Sequence, residues 1–214
     1  MWKPLAVAAA CLSLQACAIV GSDKPLFFAA DAAAAPALRP GLWAMPESDC
    51  KDFDPAQPAD KWPQCANLIV VKPTTIGGNE KQDDGSIKKR ELSYVLAGGD
   101  PRILQLTAPA DKKPDEPNYL FMAVKPMKSD EQGRLIQGQV WLVLCEPPPN
   151  PGNPLAKHKA EPMPGMKVLP DDKGCLAERP AAVRAAAEST AKWLKDEDIG
   201  DAVIVVHWVR DGDH

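Results

Sequence analysis

The chain lacks a C-x-x-C pair, an H-E-x-x-H helix, a G-x-S-x-G elbow, a glycine-rich phosphate loop and any Ca²⁺-loop spacing. The usual zinc, serine-nucleophile, nucleotide and calcium chemistries therefore have no local foundation. Histidine is scarce: only His158, His207 and His214 occur, and they are not spaced as ligands for one metal ion. No metal ligand, catalytic residue, ligand-binding position or cofactor is assigned on these grounds. Long basic runs are also missing. Lys88-Lys89-Arg90 is a three-residue cluster in a chain of net charge -4, which reads as a solvated strand face and excludes nucleic acid as the expected partner. The apolar run Pro4 to Leu14 has eleven residues, about half of the roughly 20 needed to cross a bilayer.

What is present is an address. Lys3 gives a short positive start, the apolar run follows, and Leu14-Gln15-Ala16-Cys17 closes it. This segment resembles the lipobox of bacterial lipoproteins, in which signal peptidase II cuts before a cysteine that carries diacylglycerol and becomes the new N-terminus. The resemblance implies a signal peptide over 1–16, lipidation of Cys17 and membrane contact through that N-terminal lipid. It also implies a place in the Gram-negative cell envelope with the domain in the periplasm, and Ala18 after the cysteine is compatible with the outer membrane. Ala16-Cys17-Ala18 equally satisfies an A-x-A rule, so cleavage after Ala18 with release of a soluble protein stands as the alternative.

Cysteine arithmetic agrees with export. Removing Cys11 and acylating Cys17 leaves Cys50, Cys65, Cys145 and Cys175, an even number in a compartment where disulfides persist. Four cysteines allow three connectivities. Proximity in sequence favours Cys50 with Cys65 and Cys145 with Cys175, which sequence alone does not settle. Loss of Lys3 would leave 24 basic against 29 acidic side chains, a net of -5.

Residues 17–40 read as a lipidated N-terminus and tether, because Ala29 to Ala37 is mostly alanine and Pro25, Pro36 and Pro40 interrupt any helix. The alternative is that Leu26-Phe27-Phe28 folds back onto the domain. A single globular domain is expected over 41–214, opening at Pro40-Gly41-Leu42-Trp43. That G-x-W resembles the opening signature of lipocalins and related calycin barrels, where the tryptophan closes one end of the barrel; a plain core tryptophan at a strand start is the other reading.

Strands are expected over 68–71, 91–96, 102–107, 119–124, 134–145 and 202–209, joined mainly by short polar turns, which points to an antiparallel meander. Val140-Trp141-Leu142-Val143-Leu144 is apolar on both faces and predicts a strand covered on both sides. Pro180 fits a first helical position, and Val183, Ala187, Thr190, Ala191 and Leu194 share one side of a helix over 181–195. The 146–170 stretch, dense in proline and bracketed by Cys145 and Cys175, reads as a disulfide-pinned surface loop. The fold class expected is α+β, mainly β: an antiparallel meander sheet or partial barrel with one C-terminal helix packed on it.

His207 alternates with Val203, Val205 and Val209 on a strand, so a core or cleft-edge histidine is the expected role. Asp196-Glu197-Asp198 with Asp201 reads as a solvated acidic cluster at the helix end. The sequence thus expects a lipid-anchored envelope protein, a non-catalytic binding or assembly module with an envelope protein as its possible partner. The alternatives are an enzyme acting on envelope polymers or lipids and a lipocalin-like carrier of an apolar ligand.

Overall fold

The protein is described by a computed structural model covering residues 19–33, 35–47, 50–81, 87–146, 163–169, 174–196 and 203–212. In chain order the elements are β1 (Val20–Ser22), α1 (Ala29–Ala32), β2 (Gly41–Ala44), β3 (Ile69–Val71), β4 (Thr75–Lys81), β5 (Ile87–Ala97), β6 (Arg102–Thr107), β7 (Tyr119–Ser129) and β8 (Leu135–Leu142). They continue with β9 (Met166–Val168), β10 (Cys175–Ala177), α2 (Pro180–Asp196) and β11 (Ile204–Arg210). Two single turns of 3₁₀ helix, Ala59–Lys61 and Gln64–Ala66, lie between β2 and β3.

Strands β2 to β8 pair each with the next in antiparallel fashion, and β11 pairs with both β8 and β2. The meander expected from the short polar turns is therefore a closed eight-stranded barrel, with α2 inserted before its last strand. Closure leaves no free edge among these eight strands. A small extension, β1-β10-β9, grows from the start of β7, and the β1–β10 pairing is parallel.

Side chains alternate across each strand, and the barrel wall sorts them into two cores. One core fills the lumen: Trp43, Val71, Leu96, Leu104, Val124, Leu135 and Val140 are buried there, with Tyr94, Met122, Val206 and Trp208 packed against them. Eight strands enclose a space that side chains of this size can fill. Leu38, just ahead of β2, bridges to Leu135 and belongs to the same cluster, so the chain crosses and caps that end of the barrel. Trp43 donates from Nε1 to the Arg39 carbonyl at 2.8 Å, Trp208 donates to the Pro40 carbonyl at 3.0 Å, and the Arg39 guanidinium stacks 3.5 Å from the Trp208 ring. Trp43 thus helps close one end and is at the same time a core residue at a strand start.

The second core lies outside the wall, over β5 to β8. Ala97, Ile103, Phe121, Ala123, Trp141 and Val143 point outward and are covered by Ala182, Val183, Ala186, Ala187 and Leu194 of α2, by Val20 and by Phe27. The strand through Val140 and Trp141 is accordingly covered on both faces. Small residues on α2 let the helix approach the sheet closely, and Thr190 uses its hydroxyl to join the two, accepting from the Leu144 N–H at 3.0 Å and donating to the Ala186 carbonyl. Each fully buried large side chain here, such as Phe121 or Ile103, contributes about 1.5–3 kcal/mol relative to exposure.

The expectation of a tether over 17–40 is corrected from Ile19 onward. Val20 and Phe27 are 0% and 1% exposed, and β1 is a sheet strand, so this segment is part of the domain. The cause is a long-range polar contact. Gln105 is buried, its Oε1 accepts from the Leu26 and Phe27 N–H groups at 2.8 and 3.0 Å, and its Nε2 donates to the Phe27 carbonyl at 2.9 Å. The segment Leu26-Phe27-Phe28 does fold back, with Phe27 meeting Phe121 edge to face and Phe28 left exposed. The 146–170 stretch contains β9 near its end; residues 147–162 and 170–173 lie outside the described residues.

Candidate functional site

The structure joins Cys50 to Cys65 and Cys145 to Cys175. The second bond is fully buried and ties β10 to the chain leaving β8, beside β1. The first pins a loop that packs on the outer face of β11. In that loop Phe53 and Trp62 stack edge to face at 5.1 Å, Phe53 lies 6.1 Å from the His207 ring, and Arg210 donates to the Pro55 and Gln57 carbonyls. Cys17, the expected lipidation site, lies outside the described residues, as do His158, His214, Glu197, Asp198 and Asp201.

His207 sits where β11 is flanked by β8 and β2, opposite Gln137 and Ala44. It is half-buried, and burial pushes its pKa below the ordinary imidazole value, so at neutral pH the ring is uncharged. Phe53 covers one side of it. This is the environment of a structural histidine at the margin of a core. Among the described residues no group of three or more histidines, cysteines or carboxylates is placed to hold a metal ion.

Polar groups with defined geometry gather instead at the end of the barrel away from Leu38. Strand β5 extends beyond its pairing with β6, which begins only at Tyr94, so residues 87–93 project past the β6–β7 turn. The loop after β6 curls against this projection. Asp111 on that loop receives hydrogen bonds from Lys88 Nζ at 2.6 Å and Arg90 Nη1 at 2.8 Å, and these two cations hold its carboxyl far below the usual carboxylate range. Between strand and loop lies an open groove of about 300 Å³ lined by Lys88, Lys89, Arg90, Glu91, Leu92, Pro109, Ala110 and Asp111. Alternation along β5 puts Lys88, Arg90 and Leu92 on the side of Tyr94 and Leu96, the lumen side, whereas Glu91 faces outward. There it meets Lys72 and Thr75, and the hydrogen bond from Lys72 lowers its pKa.

The basic cluster expected to be a solvated strand face is therefore half of an ion-paired groove. The groove combines the charges of Lys88, Arg90 and Asp111 with apolar lining from Leu92, Pro109 and Ala110. It has no nucleophile and base within reach of each other. Sequence reasoning missed Asp111 because it sits in a polar, proline-containing loop with no pattern. It missed Gln105 because a lone glutamine in an apolar strand looks like an outward-facing residue. Comparison with known proteins finds no matching family, no similar curated protein and no similar solved structure.

Proposed function

We propose that this protein is a lipid-anchored module of the Gram-negative cell envelope that binds a partner protein and does not turn over a substrate. The filled lumen carries this reading. Trp43, Val71, Leu96, Leu104, Val124, Leu135 and Val140 occupy the space that a carrier would leave for its apolar ligand, and Leu38 closes the end above them. Recognition then falls to the rim of the barrel, where the charged groove between the projecting part of β5 and the loop after β6 offers opposed charges and an apolar floor. At the groove and on β11, Asp111 is engaged with Lys88 and Arg90, Glu91 with Lys72, and His207 lies under Phe53. The anchor is carried by the Leu14 to Cys17 pattern, and among the described residues no helix is long and apolar enough to cross a membrane.

The test is site-specific photo-crosslinking in the native envelope. A photoreactive residue at Ala110 should give a discrete adduct with one protein, and the same residue at Gly133, in the turn before β8 at the other end of the barrel, should not. A second arm uses His207→Ala in a complementation assay with a matched thermal melt. A folded variant that fails to complement, together with no adduct at Ala110, would move an enzyme acting on envelope polymers or lipids to the front.

A further inference from the structure

The lipid-anchor reading, on which this inference rests, places an acylated Cys17 two residues before Ile19. Ile19 is already fixed to the domain. It bridges to Leu144, its carbonyl accepts from the Cys175 N–H at 3.1 Å, and the next N–H, that of Val20, donates to the Val143 carbonyl at 2.9 Å. The fit is close enough that a Cβ on Gly174 would stand 2.4 Å from the Ile19 oxygen. Two residues of fully extended chain span at most about 7 Å. A flexible stalk of twenty residues would give roughly 25 Å instead.

We infer that the barrel has no stalk and rides directly on the bilayer, with the β1-β10-β9 edge turned toward the lipid headgroups. The partner surface is a phospholipid headgroup layer, and the length of chain between Ile19 and Cys17 selects it. The composition of that edge suits the position. Lys167 on β9 and Arg179 just beyond β10 are exposed cations that anionic headgroups attract, with exposed Glu178, next to Arg179 in the chain, the opposing charge. Strand β9 pairs with β10 on one side and has no strand partner on the other among the described residues. Lipid apposition would shield that open edge from pairing with another chain. Around the ring, β3 is the fourth strand from β7, so the turn carrying Thr74 lies on the opposite wall.

The measurement uses the full processed chain in vesicles of phosphatidylethanolamine and phosphatidylglycerol that contain a headgroup-nitroxide lipid. A fluorescent amino acid is placed at Lys167 in one preparation and at Thr74 in another, and intact mass records whether Cys17 is acylated. The expected result is an acylated protein whose Lys167 probe is quenched several-fold more than its Thr74 probe. A flexible glycine-serine insertion between Ala18 and Ile19 should bring the two toward equality. Equal quenching of both probes in an acylated protein without the insertion would overturn the inference and leave the anchor standing. An unacylated protein beginning at Ile19 would instead overturn the anchor reading itself, and the flush docking with it.

Discussion

The two disulfides sit on adjacent arcs of the barrel wall, one beside β7 and β8 and the other over β11, and hold different kinds of structure. Cys145 and Cys175 are 2% and 1% exposed inside the outer core, where α2, β1 and Phe27 sheathe β5 to β8. Cys50 and Cys65 are half-buried and gather a polar loop over β11, where His207, Phe53 and Trp62 make an incomplete cover and Val205 is 39% exposed. One arc is a packed layer that carries a cross-link, and the other is a loop that depends on its cross-link for its shape. The contrast predicts that burial, more than loop length, decides what each disulfide contributes.

Chain entropy alone makes the two bonds nearly equal. Their loops span 30 and 15 residues, and a doubling of loop length changes closure cost by only about 0.6 kcal/mol. Replacing both Cys145 and Cys175 by alanine should cost about 4 kcal/mol or more in urea unfolding, because lost packing adds to lost constraint. Replacing both Cys50 and Cys65 should cost about 3 kcal/mol at most. A difference no larger than the entropic one would break the comparison.

The next largest effect should come from Gln105→Leu, which leaves the Leu26 and Phe27 N–H groups and the Phe27 carbonyl without their side-chain partner. The expected loss is about 2–3 kcal/mol, and hydrogen exchange at those two amides should rise before global unfolding.

On the looser arc, His207 gives a pH signature. Its folded pKa lies below the unfolded value, so the unfolded chain takes up the proton first and stability falls as pH drops below about 6.5, levelling off once the folded ring also titrates. His207→Gln should flatten that part of the thermal-melt profile, and an unchanged slope would show that the titration lies elsewhere. Smallest of all, Asp111→Asn should leave the melting temperature almost unchanged, because its ion pairs are exposed. Its effect should appear instead in photo-crosslinking at Ala110, since the loop beside the groove loses its latch.

Much of the wall was legible because alternation and β-branched content are local. The expected strand over 102–107 is observed as Arg102–Thr107, and the helix begins at Pro180 and buries the side that carries Val183, Ala187, Thr190 and Leu194. Strand β4 was not legible, since Gly77-Gly78 interrupts the alternation of side chains that marks a strand. Its glycines answer close contacts: a Cβ at 77 would meet the Arg90 carbonyl oxygen at 2.5 Å, and one at 78 the Leu68 carbonyl oxygen at 3.0 Å. Strand β7 was expected to stop at Val124 but continues through Pro126, where the register shifts and the missing N–H is tolerated. Strand β1 was lost to an alanine-rich context, because the residue that recruits its neighbours is Gln105, 78 positions away from Phe27. The groove was legible only as its basic half.

Barrel closure between β2 and β11 joins Leu42 to Arg210, and β1 needs Cys175 as its neighbour. A chain delivered from its N-terminus therefore presents β2 to β8 as an open sheet, with unpaired edges at β2 and β8 and apolar side chains on both faces, until α2 and β11 have arrived. Such long-range pairing slows folding and lengthens the time for which those surfaces can find a wrong partner. The order of arrival thus runs against the order of assembly: the first strand to emerge waits for residues more than 150 positions behind it, and a holding chaperone fits that interval.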